Sequence, residues 1–176
     1  MTSDLSRPIS LSRIGPGGLT VVVRATPEEC VAVAARMGIP AIRSLECRFR
    51  LTPWGDQGSD ARGSIHAEGR LHAQVTRECV VSAEDFETAV EDEFSICFVP
   101  SGHERDDADL PDPDLPDEVP YDGDTIDLGE ATAEQLGLAL DPYPRIEGAT
   151  LPALEDEADV SPFAILARPP HRQGPA

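Results

Sequence analysis

The sequence contains no lysine and no asparagine, and it has little aromatic content. Aromatic residues make up 5% and apolar residues 40% of its 176 residues, which allows a hydrophobic core but only a small one. It has no apolar run of the roughly 18 residues that a membrane-spanning helix needs. Residues 1–12 contain no apolar stretch long enough for a signal peptide, so we expect a cytoplasmic protein that does not enter the membrane.

The short motifs that mark common enzyme classes are also absent. The sequence has no GxxxxGK[ST], no GxGxxG after a strand, no GxSxG and no HExxH. No two cysteines form a CxxC pair and no histidine stands within four residues of a cysteine, whereas metal sites use such close pairs. The four cysteines are Cys30, Cys47, Cys79 and Cys97. We therefore predict no catalytic residue, no metal, no cofactor and no small-molecule substrate.

Negative charge is abundant and concentrated in one part of the chain. There are 33 acidic residues and 14 arginines, a net charge of −19 at pH 7. Residues 104–159 hold 19 of the acids but only two arginines. Within them, residues 104–124 combine ten acids with four prolines, which oppose helix and core formation. We expect 104–124 to be a disordered acidic insert, which either keeps the protein soluble or holds a basic protein partner.

The chain before this insert is predicted to begin with a strand and a helix. β-branched residues indicate a strand over residues 19–25. Thr26, followed by Pro27 and by Glu29 three positions on, is typical of a helix start, and Gly38 of its end.

Alternating apolar and polar residues then predict three strands. They cover residues 45–51, 65–76 and 86–98, and the last two form an antiparallel hairpin. Trp54 lies in the turn between the first two, where a cap over the core is favoured over base stacking.

Beyond the insert, residues 125–128 predict a short strand, and Asp127 caps a helix that Pro142 ends. Together these elements predict an α+β fold: a curled antiparallel sheet or a partly open β-barrel with two main flanking helices. We expect one domain over residues 1–148 and a flexible tail over 149–176, with a short apolar helical turn at 161–167.

Arginines lie on the outward faces of neighbouring predicted strands. Arg48 and Arg50 share one strand and Arg70 lies on the next. If the strands pair, the three side chains form a patch that can contact RNA phosphates. Glu46 and Glu68 lie among them, so an ordinary solvated face of mixed charge is the competing interpretation.

Several stretches of the sequence carry a family resemblance. They are Arg7-Pro8-Ile9, Thr26-Pro27-Glu28-Glu29, GRLHAQVTRECVVSAEDFETAVEDEFSICFVP, TIDLGEATAEQLGLALDPYPRIEGA and SPFAILA. Together they resemble the YceD family, described as large ribosomal RNA subunit accumulation proteins, and the last resembles the tail of its alphaproteobacterial branch. The best marker runs from Ile126 to Arg145, because order and spacing match together there.

This resemblance implies a non-enzymatic ribosome-assembly factor that supports 23S rRNA synthesis, processing or stability in large-subunit biogenesis. The implied partners are a ribosomal protein or a pre-50S particle, with 23S rRNA itself as a further candidate. Many family members carry Cys-x-x-Cys at the hairpin. Here Cys79 matches the second cysteine and Thr76 replaces the first, which removes a dithiol or metal role and suggests packing at a strand end for Cys79.

Two segments are predicted to contact a partner. Two prolines alternate with Asp141, Tyr143 and Arg145, which makes a rigid segment that can bind with little ordering cost. The competing interpretation is a helix stop with Tyr143 covering the core. The second segment is a short apolar cluster in the tail: Phe163, Ile165 and Leu166.

Two other functions stay open from the sequence. One is direct RNA binding through Arg48, Arg50 and Arg70. The other is a thiol-based redox sensor, which requires an unusually reactive Cys79 or Cys97.

Overall fold

The computed structural model describes residues 4–54, 63–102 and 116–150, and these residues form seven strands, two α-helices and one short 3-10 helix at Leu11–Arg13. Five strands form one sheet in the order β2-β3-β4-β5-β6, and β1 pairs with β7 in a separate two-stranded sheet. The α+β prediction is confirmed, and the described strands do not close into a barrel. The strands are β1 (Pro8–Ser10), β2 (Leu19–Arg24), β3 (Ala41–Pro53), β4 (Ile65–Glu78), β5 (Asp85–Pro100), β6 (Asp117–Tyr121) and β7 (Thr125–Asp127). The helices are α1 (Pro27–Met37) and α2 (Leu128–Ala139).

The five-stranded sheet is mixed rather than wholly antiparallel. Strands β2 to β5 pair antiparallel, but β6 joins β5 in parallel. The expected disordered insert over 104–124 is therefore wrong for Asp117–Tyr121. Val119 and Tyr121 pack against the core, and the Tyr121 hydroxyl donates a hydrogen bond of 2.8 Å to the Gly63 carbonyl. Burial of these two apolar side chains and pairing with the edge of the sheet outweigh the repulsion among the acidic residues of this segment. Residues 103–115 lie outside the described residues.

The long strands follow the predicted alternation and divide the sheet into a core face and an outer face. Phe49, Gly69 and Phe94 lie directly opposite one another on the core side of β3, β4 and β5. The Phe94 ring occupies the space that a Cβ at Gly69 would take, and it packs edge-on against Phe49 with ring centroids 5.8 Å apart. Gly69 thus makes room for an aromatic side chain.

Both helices pack on the core face of the sheet. Helix α1 begins with the expected reciprocal capping box between Thr26 and Glu29 and ends at Gly38, whose φ of 65° is left-handed. In α2, Asp127 caps the backbone N–H groups of Gly129 and Glu130. Neither helix in the described part of the chain is long and apolar enough to cross a membrane.

Candidate functional site

A groove of about 620 Å³ runs over the outer face of the sheet, where no helix packs. We call it the outer-face groove. It brings together all three arginines that the sequence suggested for RNA. Its side chains come from β2, β3, β4 and β5: Thr20, Arg48, Arg50, Glu68, Arg70, Glu93 and Ser95.

The arginines of the groove differ in their ion pairing. Arg48 lies directly opposite Arg70 in the register, and Arg70 is bound to Glu93 at 3.2 Å. Among the described residues, Arg48 and Arg50 form no ion pair with a carboxylate. Their guanidinium groups therefore remain available for an external anion.

An aromatic pair adjoins the groove. Trp54 stacks on His66, with ring centroids 4.9 Å apart, and the Trp54 side chain remains 44% exposed. His66 Nε2 lies 2.7 Å from the Ser95 hydroxyl, so the pair is directly connected to the groove wall. The expected role of Trp54 as a cap over the core is wrong, because its ring lies on the outer face, away from the core cluster.

The 141–145 segment is held firmly against the β4–β5 hairpin. Arg77 Nη2 donates to the Asp141 carbonyl at 2.8 Å, and the Val80 N–H donates to the Pro144 carbonyl at 2.9 Å. The Asp141 side chain accepts the Tyr143 N–H at 2.8 Å, which closes an Asx turn. These bonds fix the backbone on both sides of Tyr143.

Tyr143 projects outward from this fixed backbone. Its side chain is 70% exposed, so the interpretation in which it covers the core is wrong. Val80, whose N–H is bound to Pro144, is 52% exposed and adds a second apolar side chain. We call Tyr143 and Val80 the Tyr143 patch; no pattern in the sequence indicates a role for Val80.

The surroundings of the Tyr143 patch are acidic. Arg77 and Arg145 provide its positive charges, and Arg145 and Asp141 line an adjacent cavity of about 270 Å³. Five carboxylates belong to the same hairpin end or to residues 141–147: Glu78, Glu84, Asp85, Asp141 and Glu147. The local balance therefore favours a basic partner.

Cys79 lies beneath the same segment. Its Sγ accepts a hydrogen bond from the Ile146 N–H at 3.4 Å. A hydrogen bond from the Ser82 side chain, followed by that from Ile146, lowers the pKa of the thiol to about 7. The residue is only 1% exposed, and Cys97 is also buried and forms no disulfide within the described part of the chain. Cys79, which directly follows β4, is thus bonded to Ile146, which directly follows the 141–145 segment, and burial limits the access of solvent oxidants to the thiol.

Other candidate residues have less structural context. The tail cluster of Phe163, Ile165 and Leu166 lies outside the described residues. In the described ranges, no three His, Cys, Asp or Glu side chains gather in a way that could hold a metal ion.

The fold and these surfaces define an α+β protein whose candidate sites are exposed binding faces. The family model described as "Large ribosomal RNA subunit accumulation protein YceD" matches residues 67–167, which is more than half of the chain. The chain therefore belongs to the YceD family, whose name implies a role in the accumulation of large-subunit ribosomal RNA and specifies no reaction. A search of curated proteins and a search of solved structures each gave no match.

The region matched by the family model covers the two candidate surfaces to different extents. It includes the 141–145 segment and Arg70, whereas Arg48, Arg50 and Trp54 precede it. The family assignment therefore covers the Tyr143 patch and one wall of the outer-face groove.

Proposed function

We propose that this protein is a non-enzymatic, cytoplasmic assembly factor of the large ribosomal subunit, which supports 23S rRNA synthesis, processing or stability by binding a basic ribosomal protein in a pre-50S particle. The contact surface is the Tyr143 patch together with Asp141 and Arg145. The observation that carries this proposal is an aromatic side chain that is 70% exposed on a backbone fixed on both sides.

A preorganised aromatic side chain is well suited to protein recognition. Tyrosine offers a large contact area with few rotatable bonds, and it is enriched among the residues that dominate interface energies. The hydrogen bonds from Arg77 and Val80 hold the 141–145 backbone before a partner arrives. Binding therefore loses little conformational entropy.

The charge around the patch supports a basic protein as the partner. Five carboxylates against two arginines give a negative local field, which attracts Lys/Arg-rich chains and repels RNA phosphates. Exposed ion pairs contribute only about 0.2–1 kcal/mol each, so stable binding needs apolar anchors as well. Tyr143 and Val80 provide these in the described part of the chain, and Phe163, Ile165 and Leu166 in the tail are proposed as further anchors.

The test is co-sedimentation of the full-length protein with pre-50S particles on a sucrose gradient. We expect Tyr143→Ala and Arg145→Ala each to reduce the co-sedimenting fraction several-fold without changing the unfolding midpoint. The matched control is Val31→Ala, since Val31 on α1 is also 70% exposed. This control should sediment like the wild type.

A pull-down of ribosomal proteins after RNase treatment tests the class of partner. We expect a basic ribosomal protein to remain bound to the wild type and to be lost from Tyr143→Ala. A chain that ends at Gly148 tests the tail anchors in the same assay. Loss of every interaction on RNase treatment, or unchanged binding by Tyr143→Ala, would contradict the proposal.

A further inference from the structure

We infer that the outer-face groove binds single-stranded RNA, with Arg48 and Arg50 contacting phosphates and the exposed face of Trp54 stacking on an unpaired base. This inference rests on the proposed function, because an assembly factor of the large subunit meets precursor rRNA. It concerns a different surface from the Tyr143 patch and a different class of partner.

The first support is the pairing of charges on the outer face. Arg24 and Arg43 are bound to Glu46 and Glu87 at 2.6 and 2.7 Å, and Arg70 is bound to Glu93. Arg48 and Arg50 lack such a partner among the described residues, although they share one strand of the same sheet. Two unpaired guanidinium groups on one side of an open groove are suited to successive phosphates.

The second support is the aromatic pair at the end of the groove. The stack on His66 and the hydrogen bond between His66 and Ser95 fix the orientation of the Trp54 ring, while 44% of the side chain stays exposed. His66 and Glu68 are two residues apart on the same face of β4, or about 7 Å. Because Glu68 lies opposite Arg50 and Arg70 lies opposite Arg48, His66 is about 7 Å along the strands from the level of Arg50 and about 13 Å from that of Arg48. Aromatic faces stack on unpaired bases irrespective of sequence.

These features favour a single strand over a duplex. In duplex RNA the bases are stacked on each other and their faces are closed to a protein side chain. Glu68, which lines the groove opposite Arg50, adds an acceptor for base amino groups but also repels a dense array of phosphates. The net charge of −19 likewise disfavours long polyanions and confines RNA contact to this face.

The chain offers an internal probe, because Trp54 is its only tryptophan. We would titrate an unstructured oligoribonucleotide of about 10 nucleotides into the full-length protein and follow tryptophan emission. Stacking should quench this emission. Anisotropy of a labelled oligoribonucleotide then gives affinities for variants, including Trp54→Ala, which should bind at least about 5-fold more weakly.

The matched control tests whether the groove or overall charge is responsible. Arg48→Ala/Arg50→Ala and Arg24→Ala/Arg43→Ala each remove two positive charges from the same sheet. We expect the first double variant to bind the oligoribonucleotide about 10-fold or more weakly than the wild type. The slope of its log affinity against log salt should also be shallower, by about 0.7 for each phosphate contact that is lost. The second should bind nearly as well as the wild type. Circular dichroism and the unfolding midpoint confirm that each variant is folded.

Three results would overturn the inference. They are an unquenched Trp54 at saturating oligoribonucleotide, equal losses in the two double variants, and equal affinity for a duplex of the same length. Capture of a protein by the groove, resistant to RNase and lost in Arg48→Ala/Arg50→Ala, would assign the surface to a protein instead.

These outcomes are separable from the test of the proposed function. If the Arg48→Ala/Arg50→Ala variant keeps RNase-resistant binding through Tyr143 but the wild type binds no RNA, the inference fails and the proposed function stands. If Tyr143→Ala has no effect while the groove binds RNA, the protein-contact mechanism fails and RNA binding stands.

Discussion

Arg7, Glu29 and Asp127 tie the N-terminal segment to both helix starts. Arg7 binds both carboxylate oxygens of Glu29, at 2.7 and 2.8 Å, and its backbone N–H donates to Asp127. Burial alone would raise the pKa of Asp127, but hydrogen bonds from Arg7 and Ser6 and from the first turn of α2 outweigh it and lower the pKa. Three segments distant in sequence are thus joined through two carboxylates.

Glu29 gives this cluster a measurable dependence on pH. The hydrogen bond from Arg7, with that from the Thr26 N–H, lowers the pKa of Glu29 from 4.5 to about 2. A lowered folded-state pKa stabilises the protein above the unfolded-state value, and this contribution is lost as the pH falls from about 4.5 through about 2. We expect Glu29→Gln to lower the free energy of unfolding by about 1 kcal/mol near neutral pH, since the pair is partly exposed.

Urea unfolding at several pH values measures this difference. The gap between wild type and Glu29→Gln should narrow as the pH falls from about 4.5 and close below about 2, where Glu29 becomes protonated in both states. Glu28→Gln, one position earlier in the same turn and exposed, is the control and should show no such gap. A gap that is constant with pH would mean that Glu29 acts by packing and not through its charge.

At the scale of elements, helix α2 makes a close backbone contact at its first turn. A Cβ at Gly129 would come within 2.6 Å of the Leu5 carbonyl oxygen and 2.8 Å of the Arg7 nitrogen. At Gly137, in the same helix, the nearest atom to a Cβ is the Met37 methyl group at 3.9 Å. The same substitution should therefore have opposite effects at these two positions.

We expect Gly129→Ala to destabilise the protein by about 1–3 kcal/mol, because the overlap is with backbone that cannot move without disturbing the Asp127 cap. Gly137→Ala should stabilise it by about 0.5–1 kcal/mol through helix propensity. Chemical denaturation of both variants measures this. If Gly129→Ala is neutral, the 5–7 segment does not pack against α2 in solution.

The elements that the sequence predicts well have strong local signals. The α1 start follows from Thr26 and Glu29, and β3 to β5 follow from alternation over many residues. Strands β1 and β6 were not predicted, because each is stabilised by a partner outside its own local sequence. Strand β1 pairs with β7, and β6 pairs with β5 in parallel. Long-range pairing of short, polar strands leaves little trace in local pattern.

In the candidate sites, too, the features with a local sequence signal were predicted and those that depend on long-range contacts were not. Alternation placed Arg48, Arg50 and Arg70 on one face, and the groove confirms that they lie together. Which arginines lack carboxylate partners depends on cross-strand register, and the Trp54–His66 stack depends on how the chain turns after β3. The exposure of Tyr143 depends on hydrogen bonds to a hairpin some 60 residues away in sequence, which no local spacing indicates.

At the scale of the whole molecule, the two surfaces lie toward opposite ends of β4. Arg70 lines the outer-face groove and Arg77 holds the 141–145 segment, and seven residues of strand span about 23 Å. One surface presents unpaired arginines and the other a negative field with an exposed tyrosine. Under the function proposed above, a pre-50S particle, which contains both RNA and basic proteins, would contact both surfaces.

If both surfaces contact the particle at once, the effects of variants in the two surfaces should combine in a definite way. Sites more than about 10 Å apart that share no partner lose free energy independently. We expect the fold-losses in affinity for isolated pre-50S particles caused by Arg48→Ala/Arg50→Ala and by Tyr143→Ala to multiply in the triple variant, within about two-fold. A triple variant that binds no more weakly than the weaker parent would show that the surfaces depend on each other, and that one of them acts by positioning the other.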